Sequence, residues 1–508
     1  MEVAAPFTPF LRTRVLFAFC ILHFALLVLP GCAKAPLQLS SPPQLDPTRQ
    51  LAIDITAATQ MPGVQRATWG IAVQSLARNE RLFDINSRTL LVPASVAKVV
   101  SVATAVDAVG WDYRFTTTLR AGGPISDGVL HGDLLVVGSG DPAIGGRGGD
   151  DLSTWVTALY EAGIRRIDGR IVGIDDALEE PRPGFGWSWD DLGYATGAIF
   201  GALNLTENRM TVIVSPGAMA GATTSLSVDP DASGAAIVNR SITGAAGSPQ
   251  LLWPEMRPGE TKLTVAGSIP VGARPAELSV AVGNPTVRFA RALRRTLIAS
   301  RVEVGGEAVD ADDLETPVNP DNAAILYTYH SHPLSEIAQP LLKESINLYG
   351  EAVQRLNASG PVPHTNDQAL EGMKQRLLTW GIPADGSQLV DGSGLSRRDV
   401  LAPDTLLTVL VRMYDPAAMS PWMTALPIAG VDGTLAGRMK GTPAENNVRA
   451  KTGTMSNVRS LTGYVSARDG EPLAFVIMVN NFEGTGAQAV AAIDAIAVRL
   501  ASFSRTNP

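Results

Sequence analysis

A single lysine, Lys98, stands in an otherwise apolar run that reads ASVAKVVSVATAV from residue 94 to residue 106. Apolar residues on every side of such a run predict a helix that is buried all round. A buried, unpaired ammonium group is costly, so this lysine needs hydrogen-bonding partners or a lowered pKa. Ser95 lies three residues earlier and shares one helical face with Lys98. The alternative is a lysine near a helix end whose side chain reaches solvent.

Composition places the chain among ordinary globular proteins. Its 508 residues are enough for two or three domains, and hydrophobic residues make up 45% against 18% charged ones. The formal net charge is −8, and no basic cluster with interleaved aromatic residues occurs. We therefore expect no nucleic-acid partner.

The N-terminus reads as a targeting segment. Two arginines precede an apolar run of 15 residues, VLFAFCILHFALLVL, which is shorter than a membrane span. The run ends in LPGC, which resembles the lipobox of bacterial lipoproteins and makes Cys32 the predicted lipidation site. Residues 1–31 are thus predicted to be a lipoprotein-type signal peptide and 32–47 a tether. The alternative is ordinary cleavage a few residues further on, which would release a soluble periplasmic protein.

Cysteine and histidine usage limits the available chemistry. The two cysteines, Cys20 and Cys32, both lie in the leader region, so the mature body has no disulfide and no thiol nucleophile. The pair His330 and His332 is the one candidate for metal binding, and no further histidine or carboxylate ligand lies near it in sequence. We therefore predict neither a metal nor another cofactor.

Strand and helix patterns divide the chain into an interrupted α/β protein. Residues 48–115 read as a helix, a hairpin and the buried helix. Residues 116–306 alternate short β-like runs with glycine- and proline-rich turns, which predicts a mainly β insert of two subdomains. Residues 307–505 return to helices, then give three strands in a meander and a closing helix.

Three short motifs carry the candidate chemistry. They match, in order, the S-x-x-K, S-x-N and K-T-G set of penicillin-binding proteins and β-lactamases. Each motif alone is common, whereas all three in this order on a helix start, a helix break and a strand are specific. They are Ser95-Val-Ala-Lys98, Ser345-Ile-Asn347 and Lys451-Thr452-Gly453.

These motifs predict a serine nucleophile with a lysine base. The N–H of Ser95, at a helix start, can join an N–H of Thr454 in an oxyanion hole. Lys98, with an ordinary pKa of about 10.4, accepts a proton only if burial and a second cation lower that pKa. Lys451 would supply this cation.

The remaining motif residues are predicted to handle the leaving group and the substrate. Ser345 can relay a proton to the leaving amine, and Asn347 can hold both Lys98 and a substrate amide. Lys451 and Thr452 suit a carboxylate, which indicates a substrate with a free acidic terminus.

The resemblance extends beyond the motifs. Segments such as GDLLVVGSGDPAI, DDLGYATGAIFGALNLTEN and DGSGLSRRDVLAP are similar to the D-alanyl-D-alanine carboxypeptidase/endopeptidase family, the class C low-molecular-mass penicillin-binding proteins. The resemblance covers residues 50–500 and implies a β-lactamase/transpeptidase-like domain, with an antiparallel sheet flanked by helices. A large insert between the first and second motifs is a mark of this family. Ile346 departs from the aspartate common in the family at the middle of S-x-N.

The family implies a periplasmic serine DD-peptidase that acts on peptidoglycan stem peptides and is inhibited by β-lactam antibiotics. Carboxypeptidase and endopeptidase action differ in the leaving group alone, and the sequence does not separate them. A serine β-lactamase is a second interpretation, disfavoured by the insert and by the lack of an acidic deacylation base placed as in class A enzymes. A peptidoglycan-binding lipoprotein without catalysis is the third.

Overall fold

The computed structural model describes residues 46–147, 151–228, 236–260, 262–415 and 420–506. The predicted signal peptide, Cys32 and nearly all of the predicted tether lie outside these residues. The helices are α1 (Pro47–Thr59), α2 (Ala97–Val109), α3 (Ser153–Glu161), α4 (Pro285–Ala299), α5 (Leu334–Lys343), α6 (Asn347–Arg355), α7 (Asn366–Thr379), α8 (Pro403–Met413), α9 (Pro421–Ala425) and α10 (Gly486–Ala501). The strands are β1 (Thr68–Ser75), β2 (Glu80–Ile85), β3 (Thr116–Gly122), β4 (Ile125–Ser126), β5 (Val129–Leu130), β6 (Asp133–Val137), β7 (Arg166–Ile167), β8 (Ile171–Ile174), β9 (Arg209–Ser215), β10 (Ser225–Val228), β11 (Ile237–Gly244), β12 (Leu251–Glu255), β13 (Leu263–Pro270), β14 (Ala276–Ala281), β15 (Glu303–Val304), β16 (Ala308–Asp310), β17 (Ala324–His330), β18 (Ser387–Gln388), β19 (Val400–Leu401), β20 (Arg449–Met455), β21 (Val458–Ser466) and β22 (Pro472–Asn480).

A five-stranded antiparallel sheet joins the two ends of the chain in the order β2-β1-β22-β21-β20. Strands β21 and β22 are buried along nearly their whole length because helices cover both faces of the sheet. Helices α1 and α10 pack together on one face, and α8 packs on the other. The predicted hairpin, meander and closing helix are confirmed, and together they form one layered α/β domain.

Helix α2 is buried on every side from residue 97 to residue 105, as its apolar run predicts, and its last turn is partly exposed. It packs against α5, α6, α7 and α8, and a short 3₁₀ turn (Ala94–Val96) leads into it. Lys98 has 0% exposed surface, so the alternative of a side chain that reaches solvent is wrong. The partners of this lysine therefore have to be found inside the protein.

The segment between α2 and α5 is the predicted β-rich insert. Among the described residues it contains sheets in the orders β16-β8-β6-β3-β17, β15-β7-β5-β4, β10-β9-β14 and β11-β13-β12. It also contains α4 and α3, and no helix was predicted at α3. The ring of Trp155 of α3 packs at a tilt against those of Phe289 of α4 and Tyr329 of β17, in a separate apolar core.

The pairing of β17 bears on where the insert ends, which the sequence placed at residue 306. Strand β17 pairs with β3, so that His330 stands opposite Thr116. The N–H of Ser331 then donates to the carbonyl of Phe115 at 2.9 Å, where the insert leaves and rejoins the main domain. A boundary at 306 would cut this sheet, and we propose 116–330 as the insert.

In the part of the chain that the structure describes, none of the helices has both the length and the apolar character needed to cross a bilayer.

Candidate active site

The nucleophile candidate Ser95 lies in the 3₁₀ turn before α2. Two glycines allow other segments to approach this turn closely. A Cβ on Gly453 of β20 would lie 2.6 Å from the carbonyl oxygen of Pro93, and one on Gly394 would lie 2.1 Å from that of Ala94. Gly394 also has φ +74°, in the left-handed region that favours glycine. Gly453, the glycine of the K-T-G motif, therefore has a packing role, because it lets β20 lie against the turn that carries Ser95.

Lys98 has three hydrogen-bond acceptors around its amine. Nζ lies 3.0 Å from Oγ of Ser95, 2.6 Å from Oδ1 of Asn347 and 2.6 Å from the carbonyl oxygen of Ser393. An ammonium group has three N–H donors, so this set can satisfy it completely. The buried lysine thus meets the nucleophile, the second motif and a backbone carbonyl at one point.

The second motif lies in the predicted break between α5 and α6. Ser345 has φ +64°, which is uncommon for a residue other than glycine, and its Oγ accepts from Nζ of Lys451 at 2.8 Å. Lys451 also donates to the carbonyl of Thr452 at 2.7 Å. The structure therefore places a second serine–lysine pair beside the first.

Asn347 connects the main domain with the insert. Its Oδ1 accepts from Lys98, while its Nδ2 donates to the carbonyl of Thr196 at 2.8 Å. Thr196 belongs to the insert, so the insert contributes a backbone group to this site. The sequence predicted the contact with Lys98 and missed the contact with Thr196.

These groups open onto a cleft of about 560 Å³. The lysines lie beneath it, and five of the predicted site residues line it together with Thr196, Asp190 and Arg397. The five are Ser95, Ser345, Asn347, Thr452 and Thr454. Oγ1 of Thr452 donates to Oγ1 of Thr434 at 2.8 Å, which fixes its hydroxyl at the cleft wall.

Burial sets the protonation of both lysines. It lowers the pKa of Lys98 to about 8, against the opposing effect of the carboxylates of Asp391, Glu351 and Asp399. Burial, followed by repulsion from Lys98, lowers the pKa of Lys451 well below its usual range. Burial and a nearby second cation were the two expected causes of a lowered Lys98 pKa, and burial is the larger one.

A turn behind Lys98, residues 391–396, carries the D-G-S-G sequence. Both oxygens of Asp391 accept N–H groups, including that of Gly394 at 2.6 Å and the indole Nε1 of Trp187 at 2.8 Å. Glu351 of α6 accepts from the N–H of Ser393 at 2.9 Å. The sequence gives no sign that the Ser393 carbonyl meets Lys98, because backbone groups carry no residue-type signal.

Two residues in or next to the second motif take no part in the hydrogen bonds around the two lysines. Ile346, at the position of the family's aspartate, is half-buried and packs against the main apolar core. Tyr349 is fully buried in that core. The departure at Ile346 therefore leaves the hydrogen bonds of Ser345 and Asn347 in place.

The histidine pair is divided between other partners. Nδ1 of His332 lies 2.8 Å from a carboxylate oxygen of Glu336, and Nδ1 of His330 lies 3.3 Å from the Thr116 hydroxyl. Within the described ranges, one group of side chains has the spacing of metal ligands: the carboxylates of Asp175, Asp310 and Asp312 in the insert. None of the three belongs to the catalytic motifs.

The partner of the Ser95 hydroxyl defines the class of protein. In serine hydrolases built on a histidine base an imidazole occupies this place, whereas here it is the amine of a lysine three residues further along the chain. That pairing, in a helix-flanked antiparallel sheet with a second serine and a K-T-G strand, is the β-lactamase/transpeptidase class of active-site-serine enzymes.

Comparison with known proteins narrows the class to one family. The profile described as "D-Ala-D-Ala carboxypeptidase 3 (S13) family" matches residues 51–503, and the chain belongs to that family. A D-alanyl-D-alanine carboxypeptidase of Actinomadura sp. (strain R39) is 33% identical over 468 residues, covering 90% of this chain and 85% of the relative. The protein is thus a serine-type D-Ala-D-Ala carboxypeptidase.

A solved structure shows the same architecture. Penicillin binding protein 4 (dacB) from Haemophilus influenzae superposes with a TM-score of 0.77 at 27% identity, covering 88% of this chain and 98% of the other. A second crystal structure of that protein, described as complexed with a novel β-lactam, gives a TM-score of 0.72 at 26% identity. The expected transpeptidase-like domain with a large insert is confirmed.

Proposed function

We propose that the protein hydrolyses D-Ala-D-Ala termini of peptidoglycan stem peptides through an acyl-enzyme on Ser95, with Lys98 as general base. The observation that carries this assignment is the 3.0 Å contact between Nζ of Lys98 and Oγ of Ser95. The neutral amine takes the hydroxyl proton while Oγ bonds to the carbonyl carbon of the penultimate D-alanine. The amide C–N bond then breaks, and water later hydrolyses the ester.

The other site residues support the two ends of this reaction. Ser345, hydrogen-bonded to Lys451, relays to the leaving amine the proton that Lys98 took from Ser95, which leaves Lys98 neutral for hydrolysis of the ester. Thr452 and Lys451 face the terminal carboxylate of the substrate. The backbone N–H groups of Ser95 and Thr454 stabilise the tetrahedral oxyanion, a contribution of about 3 kcal/mol or more in comparable enzymes. Asn347 keeps Lys98 directed at Ser95 and offers its amide to the substrate.

Three finer assignments belong to the same proposal. Cross-link cleavage, the endopeptidase reaction, needs only a different leaving amine at the same acyl carbon. β-Lactams imitate the D-Ala-D-Ala amide and its carboxylate, and the similar protein from Haemophilus influenzae has been crystallised with one. Export to the periplasm with a lipid on Cys32 rests on the arginine-led apolar run and the LPGC sequence.

The test uses purified protein, a pentapeptide that ends in D-Ala-D-Ala, and penicillin. We expect D-alanine release, and a penicillin adduct that maps by mass spectrometry to the peptide containing Ser95 and persists. Ser95→Ala should lose both. Rapid turnover of penicillin without release of D-alanine would indicate a β-lactamase, and binding of the peptide without either reaction would indicate a non-catalytic peptidoglycan-binding protein.

A further inference from the structure

The third partner of Lys98 is a peptide group rather than a side chain. The Ser393 carbonyl that accepts from Nζ belongs to the same peptide unit as the Gly394 N–H. That N–H donates to Oδ1 of Asp391 at 2.6 Å. The three groups form a chain from carboxylate through peptide to amine, and hydrogen bonds in such a chain polarise one another in a buried site.

A second carboxylate holds the same turn from helix α6. Oε1 of Glu351 accepts from the N–H of Ser393 at 2.9 Å and from that of Gly392 at 3.2 Å. Glu351 is 4% exposed and Asp391 is 0% exposed. A buried carboxylate is costly without compensation, and here backbone donors of one short turn compensate both groups.

Charged side chains from three elements of the described chain surround Lys98 and this turn. Lys98 faces Asp391 from the turn, Asp399 from the segment that follows it, Glu351 from α6 and Lys451 from β20. Arg355 of α6 faces Glu351. Burial, then Asp391, raises the pKa of Asp399 well above its usual range. The same two causes raise the pKa of Glu351 to about 7, and its side chain acts as an acceptor for the backbone N–H groups of the turn.

We propose that Asp391 and Glu351 are positioning residues for the catalytic lysine: they hold the 391–396 turn so that the Ser393 carbonyl meets Lys98, and together they form the buried counter-charge of its ammonium. The inference rests on the proposed function, in which Lys98 becomes an ammonium each time it takes the Ser95 proton. The arrangement is comparable to the aspartate of a Ser-His-Asp triad, which stabilises the imidazolium as it forms.

Glu351→Gln is the principal test, because glutamine keeps an acceptor oxygen for both backbone N–H groups and removes the charge. Loss of a nearby negative charge makes the ammonium form of Lys98 less stable. The second-order rate constant for penicillin acylation, plotted against pH, should rise along an acid limb as Lys98 loses its proton. We therefore expect this acid limb to move to lower pH by about one unit in E351Q. The rate at the high-pH plateau should fall by no more than about tenfold, since a weaker base transfers the proton more slowly.

Control variants separate positioning from structural support. Glu336→Gln removes a carboxylate on the exposed start of α5 and should leave the limb in place. Asp391→Asn should shift the limb in the same direction as E351Q and further, if the variant folds. If E351Q does not fold, Glu351→Asp takes its place: the charge recedes from the turn by one methylene, and the limb moves the same way by less.

The outcomes are distinct. The proposal is overturned if folded E351Q loses rate equally at all pH values and the acid limb of its pH–rate curve stays in place, whatever Asp391→Asn does. A shift of that limb to higher pH also overturns it. If the wild-type protein is not acylated at Ser95 at all, the proposed function fails and this inference fails with it. Normal wild-type acylation with an unmoved limb in E351Q overturns the inference alone.

Discussion

Substitution of Gly453 by alanine tests whether the close approach of β20 to the Ser95 turn matters for activity. The added Cβ would lie 2.6 Å from the Pro93 carbonyl oxygen, 3.2 Å from Cβ of Ser460 and 3.3 Å from Cβ of Ala94. The first of these neighbours is backbone, so the strand or the turn has to move by several tenths of an ångström. Overpacking of this kind costs about 1–3 kcal/mol.

The expected loss of activity is larger than the loss of stability would suggest. The movement changes the position of Ser95 relative to Lys98 and to the Thr454 N–H, and a misplacement approaching 1 Å costs on the order of 100-fold in rate. We expect Gly453→Ala to slow penicillin acylation by about 10- to 100-fold at a temperature where circular dichroism shows it folded.

The matched control is Gly437→Ala. A Cβ at Gly437 meets nothing within 4 Å, and this glycine does not need a left-handed backbone. Its acylation rate and melting temperature should stay near those of the wild type. If Gly453→Ala acylates as fast as the wild type, the contact between β20 and the Ser95 turn has no catalytic consequence and the reasoning is refuted.

Three further outcomes follow from the same geometry. Lys98→Arg should acylate about 10²- to 10⁴-fold more slowly, because guanidinium does not give up its proton; wild-type turnover would exclude Lys98 as the base. In the wild-type protein the acylation rate should rise with pH and level off above about 8, since the pKa of Lys98 is lowered to about 8 and the neutral amine is the reactive form; a flat stopped-flow profile between pH 6 and 9 would contradict this. Cys32→Ser should move the protein from the membrane to the soluble fraction in cell fractionation, and an unmodified wild-type N-terminus in mass spectrometry would refute lipidation.

The sequence allowed the side-chain half of the site to be predicted. Ser95, Lys98, Ser345, Asn347 and Lys451 are recognisable because their residue types and order are specific to one chemistry, and the structure brings them into contact. Helix α2 and the strands of the meander could also be predicted, because an apolar run and a period-2 alternation are local patterns.

Backbone contributions and long-range pairings could not be predicted in this way. The carbonyls of Ser393 and Thr196 belong to no residue-type pattern, so their place beside Lys98 and Asn347 depends on the folded chain. The pairing of β17 with β3 joins residues 214 positions apart, so no local pattern could predict it. Helix α3 did leave a signal, since the apolar residues Trp155, Val156 and Leu159 have helical spacing.

The contact between Asn347 and Thr196 has a consequence for modularity. An amide side chain can rotate by half a turn with little change in shape, which would exchange its oxygen for its nitrogen. Lys98 donates to this amide and needs its oxygen, whereas the Thr196 carbonyl accepts from it and needs its nitrogen, so the insert selects the orientation that the lysine requires. A minimal enzyme obtained by excising the insert would therefore lose the group that orients one of its own catalytic side chains.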